Sequence, residues 1–483
     1  MTDTDRTPRA PEPAQRAASH AAPATPPVIR DGEGDLLPPF VARVETAIAA
    51  RDAAALRVLA GDLHESDLAY RLEALDHDSR PKLVALMGGA FDFAALTELT
   101  DTVREDILDE LPTRTVVEGV RELDSDDAVS ILEDLDQSEQ DEILDALSPT
   151  ESVALRRSLD YPEGSAGRLM QTALVAAPPF WTAGQALDHL REGEQDDLPD
   201  SFYEVFVVDP AHRLLGNVFL DTLARAPRTA TLESLMDPDR RRVVVTENEE
   251  AAARLFERYN LVSAPVVDAG GRLVGVITID DIVDVIQEAA DEEIKALGGV
   301  SPTEELDDPV LSIARGRAVW LFVNLVTAFL ASFVLGLFQN QLQQMVALAI
   351  LAPIVASQGG NAATQTMTVA VRALATRALS RSNALRIIGR EFLVGLINGA
   401  AFGVLTGVIA SAWFGIHALG AVIGLAMLTN LIAAAFGGIL VPLALDRFKI
   451  DPAVSSGAFV TTVTDIVGYA SFMTFATLYF GLT

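Results

Sequence analysis

Residues 311–483 break into five long apolar stretches, 318–338, 345–371, 392–414, 418–445 and 453–480, that are nearly free of charge. Each is long enough to cross a hydrocarbon core of ~30 Å at ~1.5 Å per helical residue. Within lipid an open chain has to satisfy its own backbone as a helix. Five membrane helices are therefore predicted, and a purely soluble fold is excluded. The rest of the chain has the opposite character. Residues 1–310 carry 64 acidic against 27 basic side chains and residues 311–483 carry 4 against 9, so a net −37 stands beside a net +5. The acidic half lacks the basic face that nucleic acid requires and favours cations as partners. With no cysteine and six scattered histidines, disulfides, thiolate chemistry and histidine zinc motifs are excluded. No nucleophile–base pair, phosphate loop or dinucleotide fingerprint appears, so an enzyme is not expected.

Five spans place the two ends on opposite sides. Arg315 and Arg317 precede the first span, Arg372, Arg377, Arg381, Arg386 and Arg390 fill the second connection, and Arg447 and Lys449 sit in the fourth. Connections one and three and the C-terminus hold no Lys or Arg. By the positive-inside rule this predicts a multi-pass protein of the cell (inner) membrane, N-terminus cytoplasmic and C-terminus outside, with lipid as a partner. Residues 1–39 hold eight prolines and no apolar or secretory run, and read as a disordered tail. Residues 40–160 read as an acidic domain of short stacked helices.

From 161 the pattern turns to mixed α/β and repeats itself. Phe206-Val207-Val208-Asp209-Pro210-Ala211-His212-Arg213-Leu214-Leu215-Gly216 matches Pro265-Val266-Val267-Asp268-Ala269-Gly270-Gly271-Arg272-Leu273-Val274-Gly275 at an offset of 59. Each copy reads as a strand, a helix, a hairpin and a closing helix, the last beginning near Asp280 in the second copy. The repeat resembles a tandem CBS-domain pair, which implies a regulatory module that dimerises and binds an ion or a nucleotide such as ATP or AMP.

Three features mark the spans. Gly395, Gly399, Gly403 and Gly407 make a smooth face for close helix packing. Pro353 with Gln358-Gly359-Gly360-Asn361 predicts local unwinding of the second span, tolerable where it lines a cavity. Asp465 is the only ionisable group inside the five stretches as drawn. Its burial costs roughly 2.5–3.5 kcal/mol on insertion scales, and no Arg, Lys or His lies in any span to offset it. The natural counter-charge is an ion that comes and goes.

The segment from Pro353 through Gly359-Gly360-Asn361 to Gln365, the loop Arg372-Ala373-Leu374-Ala375-Thr376-Arg377, the pair Asp451-Pro452-Ala453 and Thr464-Asp465-Ile466-Val467-Gly468, and Tyr161-Pro162-Glu163 with Ala166-Gly167-Arg168-Leu169-Met170 together resemble the MgtE family of magnesium channels, from about Phe40 onward. The resemblance implies a multidomain α plus α/β chain: a cytosolic helical superhelix domain, the tandem CBS pair (161–286), a connecting plug-like helix (287–313) and a five-helix transmembrane domain (314–483). It further implies a homodimeric Mg²⁺-selective channel with its pore along the subunit interface, gated by cytosolic Mg²⁺. The pore ligands it implies are Asp465, the Thr461 backbone carbonyl, Gly359, Gly360 and Asn361. Regulatory Mg²⁺ falls to Asp126, Glu250, Asp281, Asp284, Glu292, Glu293 and Asp451. Ser130, Asn248 and Asn260 depart from the family pattern, being neutral where acids are expected. Hydrated Mg²⁺ is usually held through retained waters by carboxylates and carbonyls, and such hard oxygen sites leave Co²⁺ or Mn²⁺ as secondary cargo. The alternative is a proton- or sodium-coupled secondary transporter of divalent cations with Asp465 as its carrier site; a membrane-anchored sensor that conducts nothing is a third reading.

Overall fold

The computed structural model describes residues 38–61, 63–192, 198–199, 201–379 and 383–482, with backbone alone at 38–39 and 454–456. The expected tail lies outside the described residues up to 37, as does Arg381. The first helix, Pro38–Ala49, opens on two prolines, which a helix accepts in its first turn because those N–H groups would have no partner anyway. By their contacts the residues form two compact units, Met1–Leu123 with Asp134–Ala146 and Asp124–Glu133 with Leu147–Thr483. The helices Ser125–Glu133 and Pro149–Leu159, expected in the first domain, group with the second unit.

The first unit is built of short helices, among them Ala53–Ala60, Glu65–Glu73, Arg80–Met87 and Asp101–Glu110. Their apolar faces bury Leu56, Leu68, Leu72, Leu83 and Ile107. Buried arginines close the helix ends. Arg71 Nη1 donates to Leu59 O at 2.8 Å, Arg80 Nε to Leu72 O at 3.1 Å and Arg80 Nη2 to Glu73 O at 3.2 Å. These carbonyls belong to last turns, where acceptors lack helical donors and the helix dipole draws a cation.

In the second unit the 59-residue repeat is reproduced strand for strand. Ala176–Ala177, Glu204–Val208 and Leu214–Phe219 form one three-stranded sheet, and Val243–Val244, Ser263–Val267 and Leu273–Thr278 the other. In each, a short strand pairs parallel with the middle strand, which pairs antiparallel with the third. The bulges at Val207/Val208 and Val266/Val267 correspond. The copies meet through reciprocal bonds, Leu214 N to Gly271 O at 3.1 Å and Leu273 N to His212 O at 2.9 Å. His212 and Gly271, equivalent in the repeat, both adopt positive φ (61° and 76°). Between the sheets Glu204 is fully buried with Arg240, whose Nη2 lies 2.9 Å from Glu204 Oε1. Ser263 Oγ and Asn217 Nδ2 donate to the same carboxylate. Ser263 is the repeat counterpart of Glu204, so one buried ion pair ties the two copies.

The second copy's closing helix, Ile279–Leu297, is continuous over 19 residues. The connecting helix expected at 287–313 is therefore not separate. Its first part is the end of this helix, and Gly298 and Gly299, the latter at φ 73°, lead to a stretch without helix before Val310. Ala296 packs among Ala363, Met367, Val371, Ala434, Ala453 and Val460, at the end of the membrane bundle that carries the basic connections.

Five helices are long and apolar enough to span a membrane: Val310–Gly336, Val346–Ala375, Ala384–Phe414, His417–Arg447 and the last, Pro452–Phe480, over its described part Gly457–Phe480. The predicted unwinding of the second is overturned. Val346–Ala375 runs as one helix through Pro353, Gly359 and Gly360, and Gly359 serves close packing against Asn430 rather than a break. The third and fourth spans cross nearly backbone to backbone. A Cβ on Gly403 would lie 2.6 Å from Gly424 O, and one on Gly407 2.6 Å from Gly420 O, the small-residue contact that lets membrane helices approach.

Deleting the Glu204 carboxylate strands a buried guanidinium, so Glu204→Ala is expected to cost about 3–5 kcal/mol. Hydrogen exchange on the full chain should show faster exchange in Glu204–Val208 and Ser263–Val267. Protection equal to that of the parent would refute the tie between the copies.

Candidate functional site

The fifth span turns Thr461, Thr464 and Gly468 toward the second, a spacing of three and four residues that keeps them on one helical face. A Cβ on Gly360 would stand 3.9 Å from Thr464 Oγ1 and 4.0 Å from Thr461 Cγ2, and one on Gly468 3.4 Å from Ala356 Cα. Thr464 is fully buried. Asp465, the next residue, is half-buried, and no described side chain offers its carboxylate a hydrogen bond or an ion pair. Two implied carbonyl ligands are engaged inside their own helices: Gly360 O accepts from Thr364 Oγ1 at 3.0 Å, and Thr461 O from Thr464 Oγ1 at 2.9 Å. Asn361 is exposed on the second span. Gly359 packs against Asn430 of the fourth span.

Two polar groups in this bundle escape sequence reasoning. Glu391 accepts a hydrogen bond from Thr366 Oγ1 at 3.3 Å. The apolar stretch begins only at Phe392, whereas the helix begins at Ala384 and includes Glu391. Asn430 is completely buried, with Nδ2 donating to Val355 O at 2.8 Å. A search for charges passes over it; the signal was a single amide amid Met427, Leu428 and Leu431.

A second site lies where Ser125–Glu133 rests on the second CBS copy and its neighbours. Thr172 N donates to Ser125 Oγ at 2.7 Å, Gln171 Nε2 to Asp124 Oδ2 at 3.3 Å, and Arg168 pairs with Glu133. This docking buries Asp126, whose Oδ1 has no hydrogen-bond partner. Burial pushes the Asp126 carboxyl well above the usual range, and Asp281, Asp127 and Asp124 add repulsion. Asp281 caps its own helix, accepting from Thr278 Oγ1 at 2.7 Å, yet burial still lifts it to about 6, with Asp280 and Asp284 contributing. Nearby, burial raises Glu249, helped by Glu288, Glu133, Glu250 and Glu292.

The predicted regulatory acids thus separate. Asp126, Asp281 and Asp284 share one electrostatic neighbourhood, and Glu250 and Glu292 share another around Glu249. Glu293 takes Arg372 of the second span at 2.8 Å, and Asp451 caps the fifth span by accepting from Ala453 N at 2.7 Å. Among the described residues no three His, Asp or Glu side chains stand close enough to grip a bare metal ion, so a cation here would be held through its water shell. The neutral residues have local duties: Asn248 caps the helix Glu249–Tyr259 by accepting from Glu250 N, and Asn260 ends it at φ 50°.

Family models match three parts of the chain: MgtE, divalent cation transporter, over 352–475; the MgtE intracellular N domain over 63–164; and the CBS domain over 232–288. The magnesium transporter MgtE of Thermus thermophilus is 31% identical over 443 residues, 90% of this chain and 97% of its own length. That of Bacillus subtilis is 26% identical over 430 residues, 88% and 93%. Among solved structures, the cytosolic domain of the Mg²⁺ channel MgtE in complex with ATP is 28% identical, covering 51% of this chain and 99% of that one with a TM-score of 0.46.

Asp281 titrates near 6 against an ordinary 3.8, so the folded form binds its proton more tightly than the unfolded form does. The stability this proton contributes is present in full below about pH 4 and fades as pH climbs through about 6. Thermal unfolding of the detergent-solubilised chain in EDTA should show a midpoint that falls across that window. Asp126→Asn should flatten the profile and raise the midpoint at neutral pH; a parent profile already flat would contradict the repulsion.

Proposed function

Since the chain belongs to the MgtE family, we propose that it is a Mg²⁺-selective channel of the cell membrane that imports Mg²⁺ as a homodimer and closes when cytosolic Mg²⁺ occupies the acidic domains. The observation that carries this reading is Asp465: a carboxylate inside an apolar bundle, beside Thr461 and Thr464, with no partner among the described residues. A second subunit supplies a second Asp465, and the pair holds a hydrated Mg²⁺ through its waters. Repulsion between the two carboxylates is what the cation relieves. The unbroken second span favours a channel over a coupled carrier, whose sites are typically made by discontinuous helices.

Gating rests on Asp126, Asp281, Asp284, Glu250 and Glu292. The buried, unpartnered Oδ1 of Asp126 beside Asp281 fits a cation, since a bound divalent neutralises what burial and repulsion oppose. Glu293 and Asp451 join as ligands only by exchanging Arg372 and the Ala453 N–H. Several weak sites suffice together, because a swing from 1:99 to 99:1 takes about 5.5 kcal/mol in all. Ligands must be deprotonated to bind, so regulatory affinity weakens as pH falls below about 6. A nucleotide such as ATP at the CBS pair is a separate ligand, and Co²⁺ or Mn²⁺ secondary cargo.

In proteoliposomes Asp465→Ala is expected to abolish Mg²⁺ uptake, and undiminished Mg²⁺ current in that variant would remove Asp465 from the pathway. The reversal potential should follow the Mg²⁺ gradient alone; a shift with pH or sodium would favour the carrier. Millimolar Mg²⁺ should protect residues 289–299 from protease, and identical digestion with and without it would count against gating.

A further inference from the structure

We propose that Asn430 is the positioning residue that sets the fifth span, and with it the Asp465 carboxylate, against the second span; this rests on the reading of Asp465 as the cation's ligand. Asn430 sits midway along the fourth span and is fully buried. Its Nδ2 donates to Val355 O at 2.8 Å, a carbonyl with a second lone pair to spare beyond its own helical bond. The approach is open because Gly359 carries no side chain: a Cβ there would lie 2.1 Å from Asn430 Nδ2. On the fifth span a Cβ at Gly468 would lie 2.8 Å from the same atom. One amide therefore keys three helices, lodged between two glycines that leave it room.

Gly468 follows Asp465 by less than one helical turn. The contact that fixes the rotation and height of the helix at Gly468 fixes them at Asp465 as well. The Oδ1 of Asn430 is buried without a hydrogen-bond partner, which an apolar side chain of similar size would avoid. What the amide supplies and an apolar side chain lacks is direction: a hydrogen bond to one named carbonyl admits one setting of the three helices, whereas apolar contact between smooth faces admits several.

The test is Mg²⁺ uptake, and the ratio of Mg²⁺ to Mn²⁺ uptake, by full-length protein in proteoliposomes, with size-exclusion elution as the check on folding. Asn430→Ala should lower Mg²⁺ uptake about tenfold and shrink the Mg²⁺:Mn²⁺ ratio by a similar factor, the scale of one interhelical hydrogen bond. Gly468→Ala alone should be comparably damaging, because its methyl meets the amide. The double variant should recover part of the loss, because that methyl then occupies vacated space. Wild-type rate and selectivity in Asn430→Ala, or losses in the two single variants that simply multiply in the double, would overturn the proposal. If Asn430→Ala does not elute as intact protein, Gly468→Ala supplies the same readout, and unchanged selectivity there overturns it equally. Asp465→Ala run in parallel separates the two levels. If that variant still transports, the pathway reading falls and this inference with it; if it is dead while Asn430→Ala is normal, this inference alone falls.

Discussion

Within hydrocarbon an ionised side chain costs roughly 2.5–3.5 kcal/mol on insertion scales, and in this bundle Asp465 bears that cost with no donor or cation of its own among the described residues. The surroundings are arranged to be tolerant of it rather than to neutralise it. Thr461 and Thr464 spend their hydroxyls on their own helix, and the carbonyls of the second span stay within an unbroken helical ladder. On the proposed reading a fixed partner would make a stable structure and a poor pathway, because conduction requires a site favourable enough to enter and weak enough to leave.

The same physics recurs outside the membrane in a softer form. Asp126 and Asp281 are brought together by docking contacts that are themselves well satisfied, such as Thr172 N on Ser125 Oγ and Arg168 on Glu133. Those contacts hold two carboxyls where burial and like charge oppose ionisation. Under the gating proposed above, divalent cation and proton compete for this one pair of side chains, and either would relieve the repulsion between them.

Much of the architecture is legible in the chain because periodicity and solvent preference are strong signals. Five apolar stretches became five helices, and the 59-residue repeat became two equivalent sheets, which also share matching bulges at Val207/Val208 and Val266/Val267. What misled was local chemistry whose meaning depends on neighbours. Gly359 and Gly360 beside Pro353 read as a break, yet Gly359 is small because Asn430 occupies the space its side chain would fill. Glu293, a regulatory ligand by resemblance, is paired in the structure with Arg372, 79 residues away. No local pattern encodes such a pairing. Glu391 stands one residue outside the apolar stretch yet inside the helix, because hydropathy ends a stretch where the helix itself does not end.

The helix Ile279–Leu297 starts at the last strand of the second CBS copy and finishes with Ala296 among the ends of the second, fourth and fifth spans. Asp281 and Ala296 stand fifteen residues apart along it, about 22 Å at the rise of an α-helix. No glycine or proline interrupts that rod, so it has no internal hinge, and the first glycines, Gly298 and Gly299, come only beyond its tip. A tilt of ~10° imposed near Asp281 carries the tip sideways by about 4 Å over that length. A small angular change at the acidic end is thereby geared up into a displacement wider than a water molecule.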